Sequence, residues 1–190
     1  MKTHRKVLYF TLLIVMNILT GFVIHAQIVP DSIDLDRLQR ATVYVMQTRD
    51  QLDDSVTCIG SGTIVSRDGL ILTNAHNTVT NPNCPGEEII IGLTTLAGAP
   101  PIISYRATVI QSDPGLDIAL LQLDRNLDGR LIDLNTLALP FVELTDSSTV
   151  SLDDSLITLG YPDANGSAIE LRRNVVSGFV TEPSAPQRAW

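Results

Sequence analysis

Beyond residue 26 the sequence contains no lysine: Lys2 and Lys6 are the only two, and every later cation is an arginine. That later part keeps 10 of the 13 cations and all 21 acids, a formal charge of −11. Such an excess of negative charge makes nucleic acid and anionic membrane surfaces poor partners. Histidine is scarce as well, for His4 and His25 both precede residue 26 and only His76 follows. Only two cysteines occur, Cys58 and Cys84, too few for a disulfide-built miniature scaffold and without the clustered Cys and His spacing of a metal site. No nucleotide-binding glycine loop is present, so no cofactor is expected. There is no internal repeat, coiled coil, low-complexity tract or long amphipathic helix, which leaves short β-strands as the main building element.

What is present begins with an export signature. Lys2, Arg5 and Lys6 precede a mostly apolar run from Val7 to Ile24, and Ala26 offers a small residue for cleavage before Gln27. The junction holds no cysteine for a lipid anchor. At 18 residues the run also lies near the lower limit for a membrane span, roughly 17 to 25 residues. Asn17, Thr20 and Gly21 interrupt it and favour cleavage over an uncleaved anchor. Either outcome places the remainder outside the cytoplasm, secreted or periplasmic, with no membrane contact beyond the leader. Removing 1–26 leaves 164 residues, enough for one compact domain. An oxidising compartment would permit a Cys58–Cys84 disulfide, stapling the segment around His76 to the strand before it. A reducing one would leave two thiols, and the sequence does not fix their separation.

Pro30 to Arg40 carries Ile33, Leu35 and Leu38 among charges and suggests a short helix. Strands are expected at 41–48, 56–66, 70–73, 88–93, 102–111, 118–123, 156–160, 168–172 and 175–181. Arg67-Asp68-Gly69 is a turn signal that makes its flanks a hairpin. Asn81 to Gly86 is a loop, and 131–155, rich in Asp, Thr and Ser, marks a joint between two subdomains. Strands at this spacing imply a sandwich or barrel.

Two acid–base residues stand out. A serine hydroxyl becomes a useful nucleophile when an imidazole takes its proton and a carboxylate holds that imidazole in the right tautomer. His76 follows the strand 70–73, which would aim its ring from a rigid element, although a lone histidine is by itself more often an ordinary surface or core residue. Asp117 stands at the mouth of the apolar run Ile118 to Leu121, where its carboxylate could be partly buried; the plain alternative is a turn acid. Asp113, followed by Pro114, fits that turn role better. Ser167 in Asn165-Gly166-Ser167-Ala168 lacks a following glycine pair for an oxyanion hole, and Ser184 sits between Pro183 and Pro186 in an extended context. No Gly-x-Ser-Gly-Gly segment occurs anywhere in the 190 residues.

Taken in order, Gly60-Ser61-Gly62-Thr63-Ile64-Val65, the hairpin Gly69 to His76 ending in Thr-Asn-Ala-His, Asp113-Pro114-Gly115-Leu116-Asp117-Ile118-Ala119-Leu120-Leu121, Leu159-Gly160-Tyr161-Pro162 and Val175 to Val180 resemble the trypsin-like serine protease domain of the HtrA/Deg group, within the chymotrypsin fold. The resemblance runs from about residue 41 to 180. It implies an all-β fold of two six-stranded barrels with the site in the cleft between them, the second barrel incomplete in this chain. It also implies His76 as general base and Asp117 as its orienting acid, with no position matching the nucleophile, and protein or peptide substrates. Asn77 departs from the pattern, since a branched apolar residue usually follows the histidine, and 126–150 is longer than the corresponding connection.

The expected organisation is therefore a signal peptide at 1–26, an extension at 27–40 and a trypsin-like peptidase domain at 41–190, with a first barrel at about 41–130 and a partial second at about 131–190. The expected function is an exported serine endopeptidase, truncated before its nucleophile and inactive as these 190 residues. The alternative is a pseudo-protease that keeps the fold as a binding module.

Overall fold

A computed structural model describes residues 33–50, 53–79, 84–162 and 168–179. The leader at 1–26, Ser167, Ser184 and the end of the strand expected at 175–181 lie outside these residues. The described fold belongs to a compact unit that begins at Asp34. It starts with a short helix, α1 (Leu35–Ala41), whose N-cap Asp34 accepts a hydrogen bond from Arg37 N.

Among the described residues eight strands follow: β1 (Thr42–Asp50), β2 (Asp53–Ile64), β3 (Leu70–Thr73), β4 (Glu88–Leu93), β5 (Ile102–Asp113), β6 (Ile118–Asn126), β7 (Ser155–Gly160) and β8 (Glu170–Val175). The first six close into an antiparallel barrel in the order β1-β2-β3-β6-β5-β4, and β7 pairs with β8 as a separate two-stranded sheet. The closed barrel and the incomplete second sheet match the fold expected from the sequence.

Alternation builds the barrel interior. Along β3 and β6 every second residue turns inward, placing Ile71, Ala119, Leu121 and Leu123 inside. Ile71, Leu121 and Leu123 meet Val43, Val45, Ile64 and Ile91, each essentially buried, and each of these aliphatic side chains contributes roughly 1.5–3 kcal/mol. The turn predicted at Arg67-Asp68-Gly69 joins β2 to β3. Gly69 takes φ +85°, open to glycine at little cost, while a Cβ there would also press on Leu123.

β1 is buried on both faces. Val43 and Val45 point into the barrel, whereas Tyr44 and Met46 form an outer cluster with Tyr161 and Ile169. That outer cluster attaches the second sheet. The segment between β6 and β7 carries two short 3-10 turns, at Leu134–Thr136 and Ser147–Thr149. It packs on the barrel through Leu137, Leu139 and Phe141, and Val142 N donates to Ile64 O at 3.0 Å. The first half of the expected joint, as far as Val142, thus packs on the first barrel.

One strand expectation needs correction. The separate strands expected at 168–172 and 175–181 are a single strand, Glu170–Val175, and Val176 to Phe179 are not strand. Arg173 and Asn174, which lay between the two expected strands, are carried within the ladder by pairing from Ser155↔Val175 to Gly160↔Glu170.

Candidate active site

The disulfide left open by the sequence is formed: Cys58 is bonded to Cys84 with a Cα separation of 5.3 Å. It ties the chain after His76 back to β2. Before His76 the chain leaves β3, which is held between β2 and β6. Ala75–Asn77 then form one 3-10 turn in which Ala75 and Asn77 are buried and His76 faces out.

Asn77 explains part of that turn. Its side chain lies flat against Gly60, where any Cβ would collide with it, and its Nδ2 donates to Thr73 Oγ1 at 3.2 Å. A branched apolar residue at this position could fill the space but could not supply the hydrogen bond.

Asp117 arrives from the neighbouring strand. β3 and β6 are paired, with Thr73 opposite Ala119, so the residue just before β6 emerges beside the turn that follows β3. Asp113 behaves as the expected turn acid, its Oδ1 accepting from Leu116 N at 3.1 Å. Asp117 itself adopts φ +51°, a left-handed conformation that aspartate tolerates better than most residues. Its Oδ2 lies 2.7 Å from His76 Nδ1, and its Oδ1 accepts the His76 backbone N–H at 2.9 Å. Asn74 Nδ2 donates both to Asp117 Oδ2 at 3.0 Å and to the Asp117 carbonyl at 3.2 Å.

Both side chains are open to solvent in part. The side chains of His76 and Asp117 are 66% and 44% exposed. What burial there is works to raise the Asp117 carboxyl. Against it act the His76 backbone N–H, the His76 ring through its hydrogen bond and charge, and the Asn74 amide, which together hold the group below its ordinary value.

A cavity of about 250 Å³ adjoins the acid, lined by Ser61, Thr63, Thr73, Asn74, Asp117 and Leu159. With Nδ1 engaged by Asp117, the other ring nitrogen of an exposed histidine is the one available to a reacting group. The arrangement can orient an imidazole, fix its tautomer and stabilise its charged form. Among the described residues no group of three or more His, Cys, Asp or Glu could hold a metal ion. Nor is any described helix long and apolar enough to cross a membrane.

The two residues singled out from the sequence are therefore in contact. Asn74 was legible only as a small polar turn residue, because its link to Asp117 spans 43 positions and leaves no local signal.

Residues 60–189 match the trypsin-like peptidase domain family. Serine protease HTR4 of Bos taurus is 32% identical over 129 residues, 68% of this chain and 21% of that protein. A probable periplasmic serine endoprotease, DegP-like, of Rickettsia prowazekii (strain Madrid E) is 32% identical over 123 residues, 65% of this chain and 19% of that protein. The crystal structure of the serine endoprotease from Yersinia pestis aligns with a TM-score of 0.54 at 26% identity, covering 76% of this chain and 43% of that one. The HtrA-type protease AlgW with a tripeptide shares the fold at a TM-score of 0.59 and 21% identity, covering 82% of this chain and 42% of that one. The chain spans about a fifth of the length of these curated relatives.

Proposed function

Because the chain belongs to the trypsin-like peptidase family, we propose that it is the base-and-acid part of an exported serine endopeptidase, with His76 as general base and Asp117 as its orienting acid. The observation that carries this reading is the 2.7 Å contact between His76 Nδ1 and Asp117 Oδ2, reinforced by the 2.9 Å bond from the His76 backbone to the same carboxylate.

The chemistry follows from the tautomer. Nδ1–H donates a hydrogen bond to Asp117 Oδ2, so the proton stays on Nδ1 and Nε2 carries a lone pair. A serine hydroxyl within about 2.6–3.2 Å of Nε2 would pass its proton there as Oγ bonds to the scissile carbonyl carbon. The resulting imidazolium is stabilised by the Asp117 carboxylate. When the carbon–nitrogen bond breaks, the same proton moves from Nε2 to the departing amine. Water then repeats the sequence on the acyl-enzyme and restores the hydroxyl.

No Gly-x-Ser-Gly-Gly segment occurs in these 190 residues, and this reading assigns the nucleophile to none of their serines. We assign residues 1–26 to an export leader. The formed Cys58–Cys84 bond supports this, since structural disulfides persist in oxidising compartments. The DegP-like relative of Rickettsia prowazekii is described as a probable periplasmic serine endoprotease. Substrates are proteins or peptides.

A fluorophosphonate probe tests the reading. The complete gene product is expected to react covalently and to lose that reactivity with His76→Ala, while the 190-residue chain is expected not to react. Labelling that survives His76→Ala, or labelling of any serine in the 190-residue chain, overturns it.

A further inference from the structure

Ser61 occupies a position that the acid–base chemistry does not explain. It lies on β2 opposite Tyr44 of β1, and it borders two cavities at once. One is the 250 Å³ cavity beside Asp117; the other, about 270 Å³, is lined from the second sheet by Thr158, Leu159, Gly160, Tyr161, Glu170 and Arg172.

Each Ser61 oxygen serves a different side of that boundary. Its carbonyl accepts the Thr73 hydroxyl at 2.8 Å, and Thr73 Oγ1 in turn accepts Asn77 Nδ2, the residue next to His76. Its Oγ accepts the backbone N–H of Tyr161 at 2.8 Å across 100 residues of sequence. Gly160 makes that approach possible, because a Cβ there would sit 2.9 Å from Ser61 Oγ.

Tyr161 is itself fixed on the barrel. Its ring meets Tyr44 edge-on at 5.2 Å, and its hydroxyl lies 2.5 Å from Thr94 Oγ1, which bonds to the Thr42 carbonyl. The second sheet is thus seated on β1 by Tyr161 and on β2 by Ser61, and the Ser61 contact continues through Thr73 and Asn77 toward the histidine.

We propose that Ser61 is a positioning residue that couples the seating of the β7–β8 sheet to the His76 turn. The proposal rests on reading His76 and Asp117 as base and orienting acid. A protease that draws groups from two halves of its fold must hold them in register to a fraction of an ångström, and a 1 Å error costs on the order of 10²-fold in rate. A serine with one oxygen committed to each half provides that register within a single residue.

Nuclear magnetic resonance of the 190-residue chain tests this with two readouts: hydrogen exchange of the Tyr161 amide and the ring nitrogen shifts of His76 as a function of pH. Ser61→Ala is expected to speed Tyr161 exchange by about five- to tenfold, the change for one lost hydrogen bond, and to shift the His76 ring signals. Ser61→Thr keeps Oγ and is expected to restore both. Ser66→Ala removes a comparable bond, from Leu70 N to Ser66 Oγ in the β2–β3 turn, and is expected to alter neither.

Unchanged Tyr161 exchange or unchanged His76 signals in Ser61→Ala overturns the proposal, as does an equal response in Ser66→Ala. Should Ser61→Ala fail to fold, Gly160→Ala disturbs the same contact from the sheet side and is read by the same criteria. Asp117→Asn separates the two readings. If it leaves the His76 signals untouched, the base–acid assignment fails, whereas the Tyr161 amide still judges whether Ser61 seats the sheet.

Discussion

His76 and Asp117 face one another across 41 residues of sequence, and the contact is double: one carboxylate oxygen lies 2.7 Å from the ring, the other accepts the backbone N–H at 2.9 Å. A second hold of this kind matters because a ring bonded at Nδ1 alone can still swing about χ1 and χ2. Fixing the backbone of the same residue to the same acid ties the turn and the imidazole to one reference point.

Asp117→Asn in the complete gene product is expected to lower kcat by about 10⁴, because an amide nitrogen facing Nδ1 favours the wrong tautomer. Asn74→Ala is expected to have a much smaller effect, within about tenfold, since His76 still engages both carboxylate oxygens. Steady-state kinetics on a peptide substrate distinguishes the two.

Acid should erase the stability that Asp117 supplies. Its carboxyl is held below the ordinary 3.8, so its contribution is complete above that value and is lost as pH falls through the lower, folded-state value. Thermal unfolding of wild type and Asp117→Asn is expected to differ at pH 6 and to converge as pH falls progressively below 3.8. A gap that persists or widens on acidification contradicts the assignment.

Replacing Cys58 and Cys84 by serine opens a loop closed at a sequence separation of 26. Chain-entropy arguments put the loss at about 3–4 kcal/mol, readable as a lower denaturant midpoint in oxidising buffer and no difference from wild type once both are fully reduced.

Leu121→Ala is expected to cost about 2–5 kcal/mol, because this side chain is fully buried where β6 crosses the barrel core. Gly62→Ala, which would place a Cβ 2.7 Å from Ile71 Cγ2, should cost about 1–3 kcal/mol through overpacking. Chemical denaturation measures both.

Much of the fold was legible locally. The strands Leu70–Thr73 and Glu88–Leu93 fall where alternation and turn residues place them. β5 runs two residues further than expected, to Asp113, because Gln111 to Asp113 pair with Leu120 to Ile118, a partner that no local pattern announces. β8 crosses Arg173 and Asn174 for the same reason. At the site, the two ionisable residues carried a signal in their setting beside strand ends. Their helpers did not: Asn74, Ser61 and Tyr161 act through contacts between 43 and 100 positions distant.

β3 is only four residues long and is flanked on both sides, leaving almost no lever arm between barrel wall and imidazole. Adding or deleting one residue between Leu70 and Asn74 would invert the inward and outward faces and rotate His76 away from Asp117. Length variation in this stretch is therefore expected to break the His76–Asp117 contact, whereas the connection after β6 is held to the barrel by its own packing through Leu137, Leu139 and Phe141.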